Sequence, residues 1–280
     1  MKGEDNAVEK SEREENDVIL RCENLTKAYT SGLLRTKITV GAKNVTFGIK
    51  RGEVVSLVGE SGSGKSTVAR MILRLIKPTA GSILYNGKSI FSYNIQDYYK
   101  LVQAVFQDPY SAFNPFYRID HVLDHAFDLR REHLDRNEKK KIISSTLQSI
   151  GLNPDEVLGR FPNQLSGGQM QRLLIGRSLI IGAQLLIADE PTSMIDASTR
   201  ASILNLLLTL RRERGLSVLF ITHDIGQAQY VSERILVMKR GEVVEQGSID
   251  DVFLRPKHPY TKELLAAVPS LYEKWDDLTH

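Results

Sequence analysis

The sequence predicts an α/β fold in which a strand and helix core encloses a helical insertion, and three observations lead to it. The segments LLIAD (185–189), SVLFIT (217–222) and ILVM (235–238) are almost wholly apolar, the pattern of parallel strands covered on both faces. Earlier in the chain, VILRCENLTKAY (18–29), KNVTFGIK (43–50) and EVVSLVG (53–59) are β-branched, alternating and punctuated by Gly, so they read as strands. Between them, from Asp108 to about Gly182, helical patterns at 119–130, 138–151 and 168–180 are broken by Asn114-Pro115, Asn153-Pro154 and Phe161-Pro162, with no convincing strand. Two smaller elements complete the order. A helical pattern runs from Gly64 through Ile76, where Pro78 is expected to stop it, and GSILYNGK (81–88) reads as a short hairpin.

Composition sets the limits of function. The chain has 280 residues, 41% hydrophobic and 25% charged, which describes a globular protein of one large or two modest domains. A chain of this size buries roughly 75% of its unfolded surface and needs no disulfide or structural metal to hold a core. Cys22 is the single cysteine and zinc-ligand spacing is missing, so a reducing compartment is expected. The longest apolar stretch, SLIIGAQLLIA (178–188), is well short of the ~20 residues that span a bilayer. Residues 1–17 are charged from the outset without an apolar stretch, which argues against a secretory signal and reads as a solvated tail. The formal net charge of +3 comes without a Lys/Arg block, and nucleic acid is therefore not the expected ligand.

Chemistry enters at GESGSGKST, which follows an apolar strand and opens a helix: Gly59, Glu60, Ser61, Gly62, Ser63, Gly64, Lys65, Ser66 and Thr67. The glycines let the backbone curl so that successive N–H groups point at phosphate oxygens, and the helix N-terminus adds a favourable dipole. Lys65 would reach the β and γ phosphates, and the Ser66 hydroxyl would ligate Mg²⁺. Downstream, LLIADE places Asp189 and Glu190 at the C-terminal end of a buried strand, where α/β sheets bind ligands. Asp189 can hold Mg²⁺ through water, and Glu190 is placed to polarise an attacking water. LSGGQ, comprising Leu165, Ser166, Gly167, Gly168 and Gln169, puts a Ser and two Gly amides at a helix start, a second anion site.

With LSGGQ the sequence resembles the ATP-binding-cassette (ABC) ATPases, whose signature motif this is, from about Val18 onward. The resemblance implies a P-loop core with a mostly parallel sheet, an N-terminal antiparallel β subdomain and an inserted α-helical subdomain. It also implies that the signature binds the γ-phosphate held by the other subunit of a dimer. Gln107 in VFQDPY matches the Q-loop glutamine, which touches Mg²⁺ and the attacking water. SMID occupies the place of the D-loop, with Ser193 and Asp196 in register and Met194-Ile195 departing conservatively. His223 in FITHD matches the switch histidine, and Tyr29 matches the aromatic that stacks on adenine, with core packing as its rival. The segment SGLLRTKITV (31–40) lengthens the loop after Tyr29 and has no assigned task.

Three longer stretches, GLLRTKITVGAKNVTFGIKRGE, VFQDPYSAFNP and HPYTKELLAAVP, resemble the oligopeptide/dipeptide importer ATPases. Many of these carry a cysteine cluster beyond HPYT, and this chain has no Cys after Cys22, so it looks like the cysteine-free partner of a two-ATPase pair. This resemblance implies a peripheral subunit on the cytoplasmic face of the cell membrane, with residues 18–257 as the ATPase domain (insertion about 108–182) and 258–280 as an extension. Its implied ligands are ATP and Mg²⁺. Its implied partners are a second ABC ATPase subunit, as a heterodimer with a homodimer left open, two transmembrane permease subunits and, indirectly, an extracytoplasmic substrate-binding protein. Importers of oligosaccharides such as β-glucosides share the subfamily, and a soluble ABC ATPase of DNA maintenance is the more distant alternative.

Overall fold

The computed structural model describes residues 17–31, 37–130, 132 and 134–267. Arg35, most of the N-terminal tail and the last thirteen residues of the extension (268–280) lie outside the described residues.

Two sheets organise the chain. β1 (Val18–Ser31) and β2 (Lys37–Lys50) pair antiparallel, and β4 (Ala80–Tyr85) and β5 (Lys88–Ser89) extend them into a four-stranded sheet of order β2-β1-β4-β5. The β4–β5 turn is Asn86-Gly87, both at positive φ (48° and 71°), which is the backbone that a tight hairpin between twisted strands requires. The second sheet contains β3 (Val54–Val58), β6 (Val102–Val105), β7 (Leu185–Asp189), β8 (Ser217–Thr222), β9 (Arg234–Lys239) and β10 (Glu242–Ser248), in the order β10-β9-β3-β8-β7-β6. It is parallel except at its β10 edge.

The central strands read as continuous apolar runs because each face meets a different core. Val54, Leu186, Ala188, Val218 and Phe220 pack on the helical side, whereas Val55, Leu57, Ile187, Leu219 and Ile221 pack with β1, β2 and the helix α1 (Lys65–Ile72). α2 (Ile95–Leu101) leads directly into β6. The region between β6 and β7 holds α3 (Ile119–His125), α4 (Arg136–Ser149), α5 (Pro154–Val157) and α6 (Gly167–Ile181). After β7 come α7 (Ala197–Arg214), α8 (Ile225–Val231), α9 (Ile249–Leu254) and α10 (Pro259–Ala266). No described helix is long and apolar enough to cross a membrane.

Three expectations of local structure are corrected. α1 ends at Ile72 and not at Ile76, because Arg74 takes φ 57° and the Leu75 and Arg74 amides donate back to Arg70 O and Met71 O, a left-handed cap built on a residue other than Gly. The Arg74 guanidinium supports that backbone by donating to Tyr93 O and lying 5.5 Å from the Phe91 ring centre. The helical pattern of 119–130 gives way at Ala126 to a 3-10 turn, Ala126–Leu129. The segment after Tyr29 is not all loop: β2 begins at Lys37, and Tyr29 pairs with Thr39, as the β-branched run Ile38, Thr39, Val40 favours.

Candidate functional site

Parallel pairing aligns the ends of three strands. Val58 lies opposite Thr222 and Asp189 opposite Ile221, so the loop after β3, the acids that end β7 and His223 after β8 emerge at one edge of the sheet. This is the edge at which open α/β sheets take ligands.

The loop at 59–67 is wedged in place by its glycines. A Cβ at Gly59 (φ 154°) would collide with the Met238 carbonyl, and one at Gly64 (φ 110°) with the Gly41 carbonyl. Ser63 N donates to Glu60 O at 3.1 Å, closing the turn, and Gly241 N donates to Ser63 O at 2.7 Å. Lys65 opens α1, and its side chain folds back so that Nζ donates to Gly59 O at 2.6 Å and Glu60 O at 2.9 Å. Burial pushes the Lys65 ammonium below its ordinary pKa of 10.5, against the pull of Glu190, Asp189 and Glu60. The Ser63 hydroxyl is buried without a hydrogen-bond partner, and Ser66 Oγ donates to Asp189 Oδ1 at 3.4 Å. Burial also pushes the Asp189 carboxyl above its ordinary 3.8; Glu190 adds to this, while the Ser66 hydrogen bond and the Lys65 and Arg70 charges oppose it.

Glu190 takes φ 50°, an uncommon conformation for a residue with a side chain. Its N–H donates to Ile221 O at 2.8 Å, which fixes the turn, and its Oε1 lies 3.0 Å from His223 Nδ1. Gln107, beyond the end of β6, lines the same cleft of about 790 Å³ with Glu60, Ser61, Ser66, Asp189, Glu190 and His223. Tyr29 sits at the far end of the loop, its OH 3.4 Å from Thr67 Oγ1. The residue is 37% exposed and outside the buried cores.

LSGGQ does not enter this cleft. Ser166 caps α6 in a reciprocal box, accepting from Gln169 N at 3.3 Å while Gln169 Oε1 accepts from Ser166 N at 2.9 Å. Ser166, Gly168 and Gln169 line a separate depression with Asn153, Ser198 and Thr199. Leu165 is nearly buried, and Gly167 faces Ile195. Gly168 passes so close to Thr199 that any side chain would collide with it. The 193–196 segment joins the two regions: Ser193 Oγ donates to Glu190 O at 2.9 Å, and Asp196 caps α7 by accepting from Ser198 Oγ at 2.6 Å and Thr199 N at 2.9 Å. Those hydrogen bonds hold the Asp196 carboxyl well below its usual range.

Sequence reasoning missed two tyrosines and an arginine. Tyr110 OH donates to Leu165 O at 2.9 Å, tying the segment after Gln107 to LSGGQ. Tyr260 OH accepts from Glu60 N at 3.1 Å. Both stand in stretches that resemble the importer subfamily, VFQDPYSAFNP and HPYTKELLAAVP, but their partners lie 55 and 200 residues away. Arg70, one turn into α1, also lines the cleft, and only its helical spacing from Ser66 signals this.

Fold and site together define a P-loop ATPase whose LSGGQ segment lies apart from the cleft. The chain matches the model of the ABC transporter family over residues 42–193 and that of the oligopeptide/dipeptide transporter C-terminal region over residues 244–280. It belongs to the ABC transporter family, as an ATP-hydrolysing member. It is 39% identical over 261 residues to the probable peptide ABC transporter ATP-binding protein y4tS of Sinorhizobium fredii, covering 91% of this chain and 73% of the relative. The oligopeptide transport ATP-binding protein OppF of Bacillus subtilis is 38% identical, with 81% of this chain and 75% of the relative covered. Among solved structures, the ABC cassette MJ0796, a dimer bound to ADP and Pi, aligns with a TM-score of 0.72 at 33% identity, covering 82% of this chain and 98% of that one. The cbiO1 protein of Clostridium perfringens, part of the cbiONQ ABC transporter complex, aligns at 0.74 and 29%, covering 90% and 96%.

The Asp189 environment predicts a conflict between stability and function. Because its folded pKa is raised, the folded state binds more protons than the unfolded chain above pH 3.8, and stability falls as pH rises through that window. Without nucleotide or divalent cation, Asp189→Asn should raise the thermal midpoint at neutral pH, and the gain should shrink toward zero below pH 3.8. A midpoint lowered at pH 7 in chemical or thermal denaturation would contradict this.

Proposed function

We propose that this chain is the ATP-hydrolysing subunit of an importer that takes up oligopeptides or dipeptides through partner membrane subunits. The observation that carries the reading is the convergence, on one sheet edge, of a glycine loop with an inward Lys65, the Ser66–Asp189 pair, and Glu190 held by His223. The match of residues 244–280 to the oligopeptide/dipeptide transporter C-terminal region, together with the relatives' naming as peptide transport proteins, supports peptides over oligosaccharides.

Tyr29, beside Thr67, offers its ring face to adenine, a contact made without base-specific hydrogen bonds. The loop amides and Lys65 take the phosphates, and Ser63, buried with an unused hydroxyl, has capacity to spare for a ligand oxygen. The donor set of Ser66 hydroxyl and Asp189 carboxylate, with Gln107 lining the same cleft, fits Mg²⁺, a hard cation that takes oxygen ligands and shares them with substrate phosphates. When bound, Mg²⁺ supplies neutralisation of β- and γ-phosphate charge. Glu190 orients and polarises the attacking water; His223 fixes the Glu190 carboxylate and reaches toward the γ-phosphate. The exposed Ser166 hydroxyl and the amides at the start of α6 offer a site for the γ-phosphate held by a second ABC ATPase subunit, so the hydrolytic unit is a dimer with two composite sites. The dimeric state of the MJ0796 cassette supports this arrangement. The chain would then work at the cytoplasmic face of the membrane, docked on two permease subunits.

Glu190→Gln tests the assignment, because it keeps the size of the side chain and removes its charge. We expect turnover to fall by about 10²- to 10⁴-fold and an ATP-bound dimer, with itself or its ATPase partner, to accumulate in gel filtration. Retained hydrolysis, or a monomer in ATP with every candidate partner, would contradict it. Lys65→Ala should weaken ATP binding and abolish hydrolysis, since it removes a fixed cation aimed at the phosphates; unchanged turnover in a coupled phosphate-release assay would show the loop assignment to be wrong.

A further inference from the structure

The segment HPYT, which none of these roles uses, is built into the floor of the phosphate loop. α10 begins at Pro259, capped by His258, whose Nδ1 accepts from Tyr260 N at 3.2 Å. The approach to it is fixed by Glu245 of β10, whose two carboxylate oxygens accept from Lys257 N (2.8 Å) and His258 N (3.0 Å). Tyr260 is thereby driven into a small core with Val58 at the end of β3, Ala228, Ile235, Val237 and Val252, and it is only 2% exposed. The Lys239 ammonium lies 4.1 Å from the centre of its ring, a cation–π contact that fixes the ring from the β9 side.

From that position the phenol reaches the peptide unit that joins Gly59 to Glu60. The amide joining Gly59 to Glu60 is planar and trans, so its carbonyl and its N–H point in opposite directions. Its carbonyl, Gly59 O, accepts from Lys65 Nζ at 2.6 Å, and its N–H, on Glu60, donates to Tyr260 OH at 3.1 Å. Lys65 and Tyr260 therefore grip opposite edges of the same plane. Gly59 stands at φ 154° and has no side chain to restrain that plane's rotation. A rotation would aim the carbonyl away from Lys65, and Tyr260 is the contact on the N–H edge that opposes it.

We propose that Tyr260 is a positioning residue for Lys65: acting through the Gly59–Glu60 peptide, it holds the ammonium at the height at which it meets the β and γ phosphates. The C-terminal segment is on this view part of the nucleotide site, which also explains why Leu264 of α10 lines the cleft. The inference rests on the reading of the loop as an ATP site.

The test is a set of binding titrations on the full chain in Mg²⁺ with ATP, ADP and AMP, comparing wild type, Tyr260→Phe, Lys65→Ala and the double variant. Tyr260→Phe keeps the ring in its core and removes only the hydroxyl. We expect it to weaken ATP and ADP about three- to tenfold, the range carried by one neutral hydrogen bond, and to leave AMP, which has no β-phosphate, unchanged. In the Lys65→Ala background the same substitution should have no further effect, since coupled residues do not add. Unchanged or tighter ATP binding in Tyr260→Phe overturns the proposal. So does an equal loss for AMP, or a loss that persists without Lys65, either of which marks Tyr260 as a packing residue. A wild-type chain that binds no ATP would instead overturn the ATP-site reading on which the proposal rests.

Discussion

The in-register parallel pairing of β3, β8 and β7 is the constraint on which the rest of the structure depends. It places Val58, Thr222 and Asp189 at one edge within a single hydrogen-bonded row or its neighbour, and the candidate functional residues are those that come immediately after: the glycine loop, His223 and Glu190. A shift of one residue in any of these strands would exchange its two apolar faces between two different cores. Leu219 and Phe220, for example, belong to opposite cores. The site's geometry is thus held by hydrophobic packing on both faces of the sheet, and the polar residues at its edge need not stabilise it.

They do the opposite. Lys65 is displaced by burial toward its neutral form, Asp189 likewise, and Glu190 occupies a left-handed backbone. The Lys65 ammonium is satisfied by two carbonyls of its own loop, and the Ser63 hydroxyl has no partner at all. Of these costs, a phosphate anion would relieve those at Lys65 and Ser63 and a divalent cation the one at Asp189, consistent with strain and shifted protonation gathering at functional sites. The surrounding sheet tolerates these costs because its central strands are almost completely buried.

Much of this was legible in the sequence because the informative signals are local. The apolar runs of β7, β8 and β9 and the Gly/Lys/Ser spacing at 59–67 each lie within about ten residues, and strand or helix context comes from periodicity. What was hidden arises from contacts distant in sequence. The end of α1 depends on Arg74, held at positive φ by Tyr93 and Phe91 rather than by a Gly or Pro that a terminus rule would find. β10 is polar and at the sheet edge, so neither an apolar run nor clean alternation marks it. α2 is a single short amphipathic element between a hairpin and a strand. Tyr110 and Tyr260 find their partners only after the chain has folded, and a tyrosine in a helical or loop pattern carries no sign of which carbonyl or amide it will meet.

The separation of LSGGQ from the cleft gives the chain two distinct surfaces, one at the glycine loop, proposed to hold ATP, and one at the exposed Ser166 cap. Tyr110, through Leu165, and Ser193, through the Glu190 carbonyl, connect the two within the chain. On the proposed function, a complete hydrolytic site takes one surface from each of two subunits. This is tested most directly by Ser166→Arg in mixed dimers whose partner lacks its own P-loop lysine or retains it, with ATP affinity titrated and turnover measured at each site singly. We expect ATP affinity at this chain's own loop to stay near wild type, while hydrolysis at the partner's loop is lost. Loss of affinity in the same chain with normal turnover at the partner's site would contradict it.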